Sequence, residues 1–148
     1  VRSRGLGDVY KRQGFMSLAR RLQLTRQPRW RPTLAGAITV YSLAGLALWT
    51  LLVHPSDDLP AMHLPTAAYT LFLATAAAVM AALARLDRRF LPVALGGLLF
   101  LISDAFLAVR LFQDNWRHLG DLCWITYGFA QMLIVYGAAA ATWPARSS

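Results

Sequence analysis

Four stretches of about twenty residues with almost no charge dominate this chain and restrict it to one class of architecture. Leu34–Val53 ("LAGAITVYSLAGLALWTLLV") carries no charge in twenty positions, and Leu64–Ala84 ("LPTAAYTLFLATAAAVMAALA") none in twenty-one. Leu91–Phe112 is interrupted only by Asp104 and Arg110, and Leu122–Trp143 by no charge at all. At about 1.5 Å rise per residue, some twenty apolar residues cross the roughly 30 Å hydrocarbon core of a bilayer. Backbone groups in hydrocarbon must be bonded within a helix or around a closed barrel. Barrel strands alternate apolar and polar residues, and Ala74–Ala84 ("ATAAAVMAALA") does not alternate. The expected fold is therefore all-α, a polytopic transmembrane helix bundle with spans at 34–53, 64–84, 91–112 and 122–143. Composition agrees, with 57% of the 148 residues hydrophobic and 15% charged. Water-soluble domains run nearer half and about a quarter.

A net charge of +8 invites a nucleic-acid partner, but its distribution has another cause. Nine of the fifteen Lys and Arg precede the first span, and Arg85, Arg88 and Arg89 fill the second connection. The first connection, His54–His63, has none and carries Asp57 and Asp58; the third has only Arg117. This is the positive-inside pattern. It is expected to put both termini and the Arg85–Arg89 connection in the cytoplasm, the two acidic connections outside, and the protein in a bacterial cytoplasmic membrane. Topology accounts for the basic residues, so no nucleic-acid partner is expected.

The N-terminus reads differently from the rest. Val1–Gln13 ("VRSRGLGDVYKRQ") lacks the apolar core and small-residue cleavage site of a signal peptide. Its GDVYKRQ ending looks like translated sequencing-adapter read-through, and residues 1–13 are taken as a non-native leader. Residues 14–33 follow as a basic cytoplasmic loop, and residues 144–148 as a tail. The sole cysteine, Cys123, has no internal disulfide partner and reads as a small apolar helix residue. His54, Asp57, Asp58 and His63 match no closed metal-ligand spacing and read as a solvated turn. No metal and no other cofactor is expected.

Asp104 is the residue that asks for an explanation. A charged Asp at the centre of a membrane helix costs about 2.5–3.5 kcal/mol on insertion scales. Such a residue faces the bundle interior and finds a partner, or stays neutral. Arg110, six residues on and well off its face, is expected to snorkel to the outer interface instead. Asp104 lies eight residues before Phe112, and Gln131 eight after Cys123, so both sit about 12 Å below the outer end of their hairpin. With Tyr127 one turn from Gln131 and Ser103 beside Asp104, one polar cluster is expected. Gly96, Gly97 and Gly128 are expected to allow the helices close approach. From spacing alone the pair can equally be an interhelical hydrogen bond and nothing more.

The same residues carry a resemblance. "GGLLFLISDAFLAVRLF" (Gly96–Phe112) followed by "YGFAQMLIVYG" (Tyr127–Gly137) resembles the C-terminal hairpin of the YhhN family, which includes the lysoplasmalogenases. Members share a "G..LF..SD..LA...F" helix and then a "Y..AQ.LI..G" helix. Pro65–Ala84 is similar to the family's preceding helix. The resemblance runs from about Arg31 to Trp143. It implies a bundle of about eight helices and a second intramembrane aspartate in an earlier "GD" motif, which nothing here matches. The chain is accordingly expected to be the C-terminal part of a longer protein, with the fragment alone inactive.

By the resemblance, the activity is hydrolysis of the vinyl-ether bond of lysoplasmalogens to a fatty aldehyde and a glycerophospho-base. The implied partners are a lysophospholipid substrate and the bilayer. A vinyl ether is stable to base and labile to acid, so the reaction needs a protonated acid and a group that stabilises the cation or activates water. Apolar surroundings favour the neutral form of a carboxyl group, and paired carboxyls do comparable work in glycoside hydrolysis. Asp104 is the implied catalytic residue and fits either role, the acid before the cation-stabilising or water-activating group, with Gln131, Tyr127 and Ser103 orienting it or the water. Two other classes remain open: a non-catalytic lipid-binding or assembly protein, and a small proton-coupled transporter. A transporter would more often break its helices internally, whereas Pro65, Pro92 and Pro144 stand at helix ends.

Overall fold

A computed structural model of the chain describes residues 14–20, 23–53, 60–112 and 119–142. Among the described residues there are helices and no strands. Four helices are long and apolar enough to cross a membrane. They are α1 (Trp30–Leu52), α2 (His63–Leu86), α3 (Leu91–Phe112) and α4 (Leu119–Thr142). This is an integral membrane helix bundle, as the hydropathy pattern requires. The helices overrun the apolar runs at several ends. α1 begins at Trp30 rather than Leu34, because Pro32 falls in its first turn, where a missing N–H breaks no intrahelical bond. The expected leader 1–13, residues 54–59 and 113–118, and the expected tail 144–148 lie outside the described residues, as do His54, Asp57, Asp58, Arg117 and Trp143.

Asp87 sets the α2–α3 connection. Its backbone N–H donates to the Leu83 carbonyl at 2.8 Å, and its side chain accepts from the Arg89 N–H at 3.0 Å. The carboxylate thus satisfies a donor at the start of the single 3-10 turn Arg88–Phe90, which leads directly into α3. So short a connection makes α2 and α3 antiparallel neighbours. Phe90, fully buried, closes this arginine-rich end of the bundle.

Helix α2 is the centre of the assembly, with Ala74, Ala76, Ala77, Ala78 and Ala82 all buried. Helices in lipid are not driven together by the hydrophobic effect, so close packing across small residues takes its place. A Cβ added at Gly45 of α1 would stand 3.1 Å from Thr70 Cγ2, and one at Gly97 of α3 would stand 2.9 Å from Met80 Sδ. Gly96 and Gly137 seat α3 against α4 in the same way. The helices therefore pack in chain order, α1 on α2, α2 on α3 and α3 on α4. Gly128 does not share this role. Nothing lies within 4 Å of where its Cβ would be, and its neighbours Tyr127 and Phe129 are exposed. Its contact is made instead by Gly137, about two and a half turns further along α4.

That contrast gives a test. A Cβ at position 96 would lie 2.9 Å from the Ala130 carbonyl oxygen and 3.0 Å from the Ile134 backbone nitrogen. Backbone cannot swing aside, so the two helices must part. Gly96→Ala is expected to lower the thermal midpoint of the purified protein. Gly128→Ala is expected to leave it unchanged or raise it, since Ala exceeds Gly in helix propensity by about 1 kcal/mol. Equal shifts in the two variants would contradict the packing.

Residues 14–33 are not a plain loop. Residues 14–20 are helical, Leu24–Arg26 form a 3-10 turn, and Gln23 between them takes a left-handed φ of 57°. Phe15 and Ala19, one turn apart, join Leu24 and Trp30 in the core with Leu83, Phe90 and Val93. Arg20, Arg26 and Arg29 stay exposed. A count of charges sees the arginines and overlooks the helical spacing of the apolar residues between them.

Candidate functional site

Helix α3 presents two different stripes to two different neighbours. Gly96 and Ser103, seven residues or about two turns apart, face α4. Ser103 is 1% exposed; its hydroxyl donates to the Cys123 carbonyl at 2.9 Å, and Cys123 Sγ lies 3.5 Å from its Oγ. Cys123 is therefore more than an apolar filler, because its thiol also donates to the Ser103 carbonyl at 3.4 Å. Gly97, Leu101, Asp104 and Ala108 make the second stripe, turned toward α2 and α1. The step of about 100° between consecutive residues sends Ser103 and Asp104 to different helices.

Asp104 Oδ2 accepts a hydrogen bond from the Tyr69 hydroxyl of α2 at 3.0 Å. The expected pairing with Gln131 is not made. Gln131 Nε2 is buried and has no hydrogen-bond partner among the described residues. Tyr127 packs its ring on Phe100 and Trp124, with centroids 5.6 Å and 6.1 Å away. Among the described residues, Ser103, Tyr127 and Gln131 thus make their contacts between α3 and α4, and none of them hydrogen-bonds to the Tyr69–Asp104 pair. Equal depth is not enough; the direction in which each side chain leaves its helix decides the contact. Arg110 is exposed and lies against Gly120 of α4, its Nη1 3.1 Å from where a Cβ there would stand.

Tyr69 is the residue that the depth argument overlooks. Counting outward from the Asp87–Phe90 turn, Asp104 comes about level with Leu73. Tyr69 stands one turn beyond Leu73 on the same face of α2, within reach of a long side chain. The signal was present, but only for a reader who pairs α3 with α2 rather than with α4.

Beside this pair lies a cavity of about 330 Å³ between α1, α2 and α3. Its walls follow helical spacing on all three helices: Tyr41, Gly45 and Leu48 from α1, Thr66, Tyr69, Thr70 and Leu73 from α2, and Leu98, Leu101, Ala105 and Ala108 from α3. The space has a physical cause. α1 closes on α2 at Gly45 and α2 closes on α3 at Gly97, while α1 and α3 barely touch. Ala44, Ala105 and Ala108 then leave the gap between them unfilled. Toward the end opposite the arginines, Trp49 Nε1 donates to Thr66 Oγ1 at 3.0 Å, and the His63 ring stands edge-on to Trp49 at 6.2 Å. The result is an apolar slot with a carboxyl–phenol pair on its wall and Trp49 and Thr66 lining its end away from the arginines. Among the described residues no three His, Cys, Asp or Glu side chains come together.

A family model described as the YhhN family matches residues 14–138. No curated protein and no solved structure matches the chain.

Proposed function

The chain belongs to the YhhN family, and from that premise we propose that it carries the site of a lysoplasmalogenase-like membrane hydrolase acting on the vinyl-ether bond of single-chain ether phospholipids. The observation that supports this reading is the Tyr69–Asp104 pair on the wall of an apolar slot. A slot of about 330 Å³ among membrane helices suits one hydrocarbon chain, and a carboxyl partway along it suits proton transfer to that chain.

In this mechanism the Asp104 carboxyl protonates the alkene carbon remote from the ether oxygen, and the C=C electron pair forms the new C–H bond. An oxocarbenium ion remains on the substrate and a carboxylate on Asp104. Tyr69 donates to Oδ2, and that hydrogen bond strengthens as the carboxylate charge develops. Water then adds to the cationic carbon, and Asp104 takes the proton that water loses. The hemiacetal collapses to an aldehyde and a glycerol hydroxyl, with Asp104 carrying the proton from one oxygen to the other. No net proton is consumed, and one carboxyl serves as acid and then as base. The test is aldehyde release from an alkenyl lysophospholipid by the reconstituted full-length protein.

A second reading has a specific observation behind it. The same hydrogen bond ties α2 to α3, as a helix lock in a lipid-binding protein would. The two readings part at Asp104→Asn, argued below.

The orientation follows from the arginines: Arg85–Arg89 toward the bacterial cytoplasm, the Trp49–Thr66 end of the slot toward the outside. With Cys123 replaced by Ala, a Cys placed at Asp58 is expected to react with a membrane-impermeant maleimide in intact cells. One at Arg88 is expected to react only after lysis. The reverse labelling would invert the proposed orientation.

A further inference from the structure

Resting on the reading of the slot as a lipid site, we infer that Leu98 is a chain-length gate. Hydrocarbon chains beyond about seven carbons from the reacting bond leave the slot past this side chain, between α1 and α3. The count comes from levels along the helix. Leu98 lies six residues before Asp104, so it stands about 9 Å nearer the arginine-rich end. An alkyl chain with C–C bonds of about 1.5 Å advances about 1.3 Å per carbon when extended, so about seven carbons fit in that distance.

Beyond Leu98 the straight path is shut. At the neighbouring Gly97 an added Cβ would lie 2.9 Å from Met80 Sδ and 3.5 Å from Ala77 Cα, so α2 and α3 leave no room for a chain. The remaining way out is lateral. α1 and α3 make little contact, and Leu98, which lines the slot beside that weak contact, is 44% exposed. A side chain that lines the cavity, stands at its inner end on α3 and is nearly half exposed occupies the threshold itself. Its bulk governs how easily a long chain turns outward, and it has no bearing on a chain that ends inside.

The experiment measures kcat/KM for 1-alkenyl lysophospholipids with chains of 8 and 16 carbons, using the full-length protein in nanodiscs. Competition by the matching 1-alkyl ethers, which cannot be hydrolysed, against a fluorescent lysophospholipid is measured alongside. Leu98→Trp is expected to reduce kcat/KM for the 16-carbon substrate at least about tenfold more than for the 8-carbon substrate, the scale of a misfit in an apolar pocket. Leu98→Ala is expected to shift the preference toward the long chain. Competition by the alkyl ethers is expected to follow the same order. Equal changes for both lengths in turnover and in competition would overturn the gate while leaving the hydrolase reading intact. Length-dependent competition without aldehyde release from any chain would support the gate and overturn the hydrolase reading.

Discussion

Asp104→Asn is expected to lower vinyl-ether hydrolysis by at least about 10²-fold while the protein keeps its fold. That factor is the lower end for removing a general acid. Asn has the shape of Asp and its carbonyl can still accept from the Tyr69 hydroxyl, so the link between α2 and α3 survives. What it loses is the exchangeable carboxyl proton. Binding of a 1-alkyl lysophospholipid is therefore expected to stay within about threefold of wild type. Tyr69→Phe is expected to be milder, about 10- to 100-fold in kcat, because a hydrogen bond to a charged group is worth roughly 1.5–3 kcal/mol. A fully active Asp104→Asn protein would reduce the Tyr69–Asp104 pair to a helix lock and put the lipid-binding reading first.

Filling the slot is expected to have an equally large effect by a different route. Ala105 is next to Asp104 and lines the cavity. Ala105→Phe directs a ring into a slot of about 330 Å³, room enough for it, so the thermal midpoint is expected to hold or rise. The hydrocarbon chain then has nowhere to go. Turnover and binding of the alkyl ether are both expected to fall to background, whereas Asp104→Asn removes turnover alone. If Ala105→Phe kept normal binding and turnover, the substrate would have to enter elsewhere and the cavity would not be the site.

What the sequence reveals here depends on which question is asked of it. The spans are legible because bilayer thickness fixes a minimum length of apolar helix, and Leu91–Phe112 emerges as a single helix despite Asp104 and Arg110. Asp104 is legible as the functional candidate because a membrane carboxyl is costly. Its partner is not. Depth along a helix can be counted from the chain, and the count puts Gln131 level with Asp104, but side-chain direction depends on which helices are neighbours. Gly97 and Gly96, one residue apart, settle that for α3: the first faces α2, the second α4, and Asp104 belongs to the stripe of the first. The same distinction separates Gly128, set in open space, from Gly137, pressed against Pro92 and Val93. That an apolar groove between helices should take the alkenyl chain follows from the resemblance, but its place is not legible, for a further reason. It is the space left where α1 and α3 barely touch, and no local pattern encodes a gap between helices far apart in the chain.

The central claim is that Asp104 delivers a proton to the carbon of a vinyl ether held in the slot between α1, α2 and α3. The most direct measurement supplies the full-length protein in nanodiscs with 1-alkenyl, 1-alkyl and 1-acyl lysophospholipids of one chain length, in D₂O, and analyses the products by mass spectrometry. Aldehyde is expected from the alkenyl lipid alone, with one deuterium fixed on the carbon next to the carbonyl, and none above background from Asp104→Asn. Lipid binding without aldehyde from the alkenyl substrate, or equal aldehyde from the Asp104→Asn protein, would contradict the account.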